Sequence, residues 1–211
     1  MKQRNQPGPA AYRVESPRLV MRCWSPSDAP ALRRALDECD RHLRPWIPFM
    51  ADEPRSLEQT ALWLRGHREA FDADRLHRYA VFEKDSGRLV GENMLLDRVG
   101  PGGREVGYWT HKDCLGQGYA AEASMAMTRL GFDVVGVDRI EIHCAPGNQA
   151  SAAIPQKLGF THEATLKRRV TDTEGQVHDL MIWSLFASDY PDTPSARLEI
   201  SAFDCLERKI L

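Results

Sequence analysis

Gly116 and Gly118 stand two residues apart at the head of an alanine-rich run, Leu115-Gly116-Gln117-Gly118-Tyr119-Ala120-Ala121-Glu122-Ala123. Glycine lets the main chain come close to a ligand. The first turn of the helix that such a run predicts carries unpaired N–H groups and the positive end of the helix dipole. The chemistry on offer is the holding of an anion, a diphosphate above all. A phosphate loop of the Gly-Lys-Ser/Thr kind is excluded, because Tyr119 follows Gly118. A dinucleotide fingerprint needs a third glycine where Ala121 stands. Two readings stay open: a strand-loop-helix that turns N–H groups toward a diphosphate, and a tight turn with no ligand.

The elements that must position this loop follow from periodicity and punctuation. Arg18 to Arg22 alternates as a first strand, and Ser25-Pro26-Ser27-Asp28 offers cap chemistry to a helix from Ala29 to Asp40. Arg44 to Pro54 holds three prolines with Trp46 and Phe49 and reads as an aromatic-rich loop. Ser56 and Gln59 have capping-box spacing ahead of a second helix. Arg78–Glu83 and Leu89–Leu96 read as a hairpin, followed by a strand Glu105–Thr110 and a helix Ala120–Asp133. A strand Asp138–Cys144 precedes a helix that starts at Asn148 and stops at Gly159, and strands near 160–169 and 177–186 close the order. This is a mixed α/β single domain over 13–194, with a disordered leader at 1–12 and a C-terminal extension, 195–211, that packs on the domain.

Composition limits the function classes. A chain of 211 residues suits one large domain, and a net charge of -2 with a pI near 6.4 argues against a dedicated nucleic-acid binder. No apolar run reaches membrane-spanning length, and the leader lacks the apolar core of a signal peptide. Cys23, Cys39, Cys114, Cys144 and Cys205 are odd in number and widely spaced, without a Cys-x-x-Cys pair. They read as reduced thiols of a cytoplasmic protein, not as a metal site.

The series Leu89-Val90-Gly91-Glu92, Glu105 to Trp109, Gly116 to Ala120, Asn148-Gln149-Ala150-Ser151 and Lys157-Leu158-Gly159-Phe160 resembles the GNAT family of N-acetyltransferases, in its RimJ/RimL branch. The resemblance covers roughly residues 16–190. It implies a mixed, mostly antiparallel sheet with a splayed parallel strand pair and flanking helices. It also implies acetyl-CoA as co-substrate, with its diphosphate on Leu115, Gly116, Gln117, Gly118, Tyr119 and Ala120. The pantetheine arm then lies along Tyr108, Trp109 and Thr110, and Asn148, Ser151 and Lys157 complete the coenzyme site. Leu115 departs from the Gln or Arg usual in the family, so weaker binding or a substitute contact is expected, not loss of binding.

The reaction implied is direct attack of a neutral amine on the thioester. An α-amino group, with a pKa of roughly 7.7–8.0, is partly neutral at pH 7, whereas a lysine at about 10.4 is almost wholly charged. A weak base suffices for the former, and Glu92 and Glu105 are the candidates. Glu92 alternates with Val90 and Met94, and burial there would raise its pKa. A backbone N–H near Trp109 or Thr110 is expected to polarise the thioester carbonyl. The tyrosine that many family members place after the Asn148 helix is missing, and Ser151 is its expected substitute at the departing sulfur. The acceptor expected is a protein N-terminal α-amine. A small amine (polyamine, amino acid or antibiotic) and a non-catalytic acyl-CoA sensor are the alternatives, in a monomer or homodimer.

Overall fold

Strand and helix formation follow the burial pattern. The computed structural model describes residues 11–211. β1 (Arg13–Glu15) and β2 (Leu19–Cys23) form a hairpin in which Leu19, Met21 and Cys23 point inward. α1 (Ala29–Leu43) buries Leu32, Ala35, Leu36, Cys39 and Leu43, the i, i+3, i+4 stripe of an amphipathic helix. α2 (Leu57–Asp72) starts at a capping box in which Ser56 and Gln59 satisfy each other's main-chain N–H. β3 (His77–Glu83), β4 (Leu89–Leu96) and β5 (Gly103–Thr110) form an antiparallel meander. α3 (Tyr119–Leu130) follows, then β6 (Arg139–Cys144), α4 (Gln149–Leu158), β7 (Thr161–Thr171) and β8 (Val177–Phe186). The tail supplies a short α5 (Pro194–Arg197) and β9 (Ser201–Phe203).

All nine strands join one sheet in the order β7-β8-β6-β5-β4-β3-β2-β1-β9. Every neighbouring pair is antiparallel except β5 and β6. That pair is joined only at Gly103↔Arg139, Arg104↔Ile140 and Glu105↔Glu141, and beyond Glu105 the two strands part. The splay expected from the resemblance is present. α3 is buried on nearly every side, and Ala121, Ala123 and Ala126 let it lie close on the sheet in the larger core. α1 and α2 enclose a second core with Trp24, Ala80, Leu89 and Trp109.

Three boundaries differ from the sequence reading. α3 was expected to reach Asp133 but gives way at Gly131 to a wide turn, Gly131–Val135. A Cβ at Gly131 would lie 2.6 Å from Ile140, so close approach to β6 selects glycine there. The leader expected at 1–12 is corrected at its last two positions. Ala11 is buried, and the Tyr12 N–H donates to the Phe203 carbonyl at 2.7 Å. Residues 1–10 of that leader lie outside the described residues. The tail after 195 contributes a strand: β9 pairs with β1 and buries Ala202.

Candidate active site

The two-glycine loop enters α3 with its donors unspent. Gly116 and Gly118 have φ of 71° and 80°, left-handed values that favour glycine. Gly118 is the N-cap residue and has no side-chain cap, and the first helical bond runs from the Glu122 N–H to the Gly118 carbonyl. The N–H groups of Gly116 through Ala121 have no main-chain or side-chain acceptor among the described residues. An uncapped helix start with a glycine approach is the arrangement that takes a phosphate oxygen.

Arg18 braces this loop from behind. Its guanidinium donates to the Gln117 carbonyl at 2.9 Å, stacks 4.6 Å from the centre of the Tyr119 ring and pairs with the buried Glu122 at 2.6 Å. These contacts are within the protein and hold the loop in place. Leu115 itself is exposed and lines the cleft. Gln117 turns its side chain back to the Asp113 carbonyl at 2.8 Å. Gly118→Ala forces a Cβ into a left-handed residue, at a cost of roughly 1–2 kcal/mol. If the ligand must select that strained loop, coenzyme A binding weakens about tenfold with kcat little changed, since 1.4 kcal/mol is a factor of ten. Calorimetric titration with coenzyme A checks this, and an unchanged Kd would remove the loop from the binding site.

The loop opens into a cleft of about 370 Å³ bounded by β5, α4 and the end of α1. Its walls include Tyr108, Trp109 and Thr110 of β5, Leu115 to Ala121 in part, and Asn148, Ser151, Ile154 and Lys157 of α4. His42, near the end of α1, and Trp46 and Ile47 just beyond it complete the lining. Main-chain alternation tells which β5 groups face the gap. The His111 N–H donates to the Val90 carbonyl of β4 at 2.7 Å, so Trp109 also points toward β4 while Tyr108 and Thr110 point toward β6. Of the two N–H groups expected to meet a thioester carbonyl, only that of Thr110 faces the cleft. Trp109 serves by its position in the wall.

Ser151 lies in the first turn of α4, where the Asn148 side chain caps its N–H at 3.1 Å. Its hydroxyl is 3.1 Å from that of Tyr108, which also donates to the Ser151 carbonyl at 3.0 Å. Burial pushes the Tyr108 phenol upward, so it stays protonated and able to donate. Burial likewise raises the Cys144 thiol. No tyrosine follows α4 directly, and the phenol that reaches Ser151 comes from β5.

Neither carboxylate singled out as a base is placed for that work. Glu92 is buried, and its two oxygens accept from Trp24 Nε1 at 2.7 Å, Arg78 Nε at 2.8 Å, Arg78 Nη2 at 2.6 Å and Trp109 Nε1 at 3.1 Å. Burial pushes the carboxyl up, but the charge and hydrogen bonds of Arg78 outweigh it and hold the group below the ordinary glutamate range. The expectation of a raised pKa is therefore overturned. Glu92 instead pins the Trp109 indole. Glu105 sits at the closed end of the strand pair, where Arg98 grips it and His143 Nδ1 lies 3.4 Å away. Glu105 does not line the cleft. His42 was passed over in sequence, although its i, i+4 spacing from Trp46 across the end of α1 was a usable signal.

The chain matches the Acetyltransferase (GNAT) domain family over residues 18–161. It is 26% identical over 180 residues to the protein named "Putative ribosomal N-acetyltransferase YdaF" of Bacillus subtilis (strain 168), covering 82% of this chain and 93% of that one. The fold superimposes on RimL, the ribosomal L7/L12 alpha-N-protein acetyltransferase, in complex with coenzyme A, with a TM-score of 0.73 at 22% identity over 81% of this chain and 95% of that one. The ribosomal-protein-S5-alanine acetyltransferase of Vibrio fischeri gives a TM-score of 0.73 at 22% identity, over 84% and 98%. With the donor-rich loop, the parted strands and the cleft beside β5, these matches establish that the chain belongs to the GNAT acetyltransferase family, as an acyltransferase with acetyl-CoA for its co-substrate.

Proposed function

We propose that the chain acetylates the α-amino group at the N-terminus of a protein, as the names of its ribosomal-protein relatives indicate for those proteins. The observation that carries this reading is the absence of any aspartate or glutamate among the cleft-lining residues. A polyamine brings further ammonium groups, each needing a carboxylate partner once out of water. An N-terminal peptide brings one amine, of roughly pKa 7.7–8.0, and otherwise neutral main chain. Trp46, Ile47 and Ile154 offer such a chain apolar walls.

Bound acetyl-CoA supplies the acyl group. The free N–H groups of Gly116 to Ala121 hold its diphosphate, and Lys157 adds charge at the α4 side of the cleft. The Thr110 N–H polarises the carbonyl, and the Ser151 hydroxyl, backed by Tyr108, hydrogen-bonds the departing sulfur. Among the described residues no helix is long and apolar enough to cross a membrane, and all five cysteines are unpaired. Unpaired thiols suit the reducing cytoplasm, where nascent N-termini and acetyl-CoA meet.

Thiol release from acetyl-CoA tests the acceptor. Short peptides with a free N-terminal serine or alanine are expected to be turned over at least tenfold faster, by kcat/KM, than spermidine or than the same peptides with an acetylated N-terminus and an internal lysine. Faster turnover of spermidine would overturn the reading.

A further inference from the structure

We propose that His42 is the proton acceptor for the incoming amine, a deepening that rests on the acyl-transfer reading above. Three observations lead to it. The first is position: His42 lines the same cleft as Thr110, Tyr108 and Ser151. The second is its surroundings. His42 shares the cleft wall with Thr110, whose main-chain groups face the parted strands. A neutral imidazole carries a lone pair on one of its ring nitrogens in either tautomer. The third is that the rest of the wall lacks a base. Tyr108, Cys114 and Tyr119 are all raised and remain protonated, no carboxylate lines the cleft, and Glu92 and Glu105 outside it are held by arginines.

The charged and titratable groups around His42 come from several elements. His111, on the segment after β5, faces it, and Glu38, one turn earlier on α1, is engaged with His111 at 3.2 Å. Lys157 of α4 and the two tyrosines share the cleft. Burial first, then His111, push His42 below its ordinary value, against the upward pull of the Thr110 carbonyl. The imidazole is therefore neutral and ready to accept at pH 7.

The step balances as follows. The ammonium passes one proton to the free imidazole nitrogen. The amine's lone pair then forms the C–N bond as the C–S bond breaks, with the electron pair leaving on sulfur. The second proton shed by nitrogen goes to that sulfur through the Ser151 hydroxyl, and the imidazolium returns its proton to solvent. The sum is an amide, a free thiol and one proton.

Such a base lets the enzyme use the protonated amine, the majority form at pH 7. The test is the pH profile of kcat/KM for wild type, His42→Ala and His42→Gln, with the best amine found by thiol release. Wild type is expected to hold a plateau from about pH 6.5 to the amine's own pKa, roughly 8 for an α-amine. The variants are expected to fall tenfold per pH unit below the amine pKa, because only neutral amine from solution reacts. Their deficit is about 30-fold at pH 6.5 and far smaller at pH 8.5. The Kd for coenzyme A should not change, and imidazole in the buffer should restore activity to His42→Ala. Parallel profiles, with a deficit independent of pH and no rescue, would overturn the assignment. If His42→Ala does not fold, the closely sized His42→Gln carries the same comparison. If the best amine is not an α-amine, the acceptor reading falls while the profile on that amine still decides His42. If wild type transfers to no amine, both fall.

Discussion

Arg78→Met should cost about 3–5 kcal/mol of stability at pH 7.5, because it strands the Glu92 charge inside the protein. Arg78 lies on β3 and reaches Glu92 on β4 through Nε and Nη2. Both side chains are almost out of solvent, at 11% and 3% exposure, so water cannot replace the lost partner. The guanidinium also sits over the rings of Trp63 and Phe49, at 5.3 and 5.6 Å, and its remaining Nη1 is 3.1 Å from His67 Nε2. Burial, with Arg78 second, pushes His67 down to about 4, which leaves it neutral and able to accept that bond.

The pH dependence carries a sign that distinguishes this mechanism from lost packing. In the wild type Glu92 titrates below its unfolded value, so its stabilisation is present above the unfolded pKa and lost as pH falls through the folded one. Without Arg78, burial is opposed mainly by the two indole hydrogen bonds, and the carboxyl is expected to titrate above its unfolded value. The variant then recovers stability as pH falls, and its deficit against wild type shrinks between pH 7.5 and 5.5. Urea midpoints at the two pH values measure this. Adding Glu92→Gln removes the stranded charge and should restore more than half of the loss at pH 7.5. A deficit that is independent of pH, and unmoved by Glu92→Gln, would mean that stacking on Trp63 and Phe49 is what Arg78 supplies.

The sign of the Glu92 shift was hidden in sequence for a definable reason. Counted back from the turn at Lys84–Gly87, the hairpin pairs Phe82 with Leu89, a register that would set Glu92 opposite Tyr79 and turn it away from Arg78. The ladder instead shifts by one residue between Val81 and Phe82, and Ala80 then stands opposite Glu92. One extra residue moves Glu92 to the face that Arg78 occupies. Periodicity showed the strands and not the bulge. Local signals fared better: the Ser56 box, the Asn148 cap and the Gly116–Gly118 loop are each specified within a few residues, and each forms. His42 and Tyr108 acquire their surroundings only when α1, β5 and α4 converge, and β9 finds β1 across nearly the whole chain. Such long-range partners leave no mark at the spacing of a helix turn or a strand.

The same bulge makes Gly91 the residue least able to change. Gly91 follows Val90, the residue left out of the register, and has φ of 157°. A Cβ there would sit 2.1 Å from the Trp109 carbonyl oxygen and 3.0 Å from Thr110 Cα, both parts of β5's main chain. Main chain cannot swing aside as a side chain can. Gly91→Ala must therefore push β5 away from β4 at Trp109 and Thr110, the stretch that walls the cleft. Overpacking of this kind costs at least about 1–3 kcal/mol. A displacement of about 1 Å at a reacting group lowers kcat by roughly 10²-fold, which is the loss expected here. Gly107→Ala is the control: its Cβ would meet the tip of the Met94 side chain at 3.0 Å, a flexible end that can move, so Tm and kcat should stay close to wild type. Thermal unfolding followed by thiol-release kinetics on both variants decides it. Wild-type kcat in a folded Gly91→Ala protein would show that the reaction does not depend on where β4 holds Thr110.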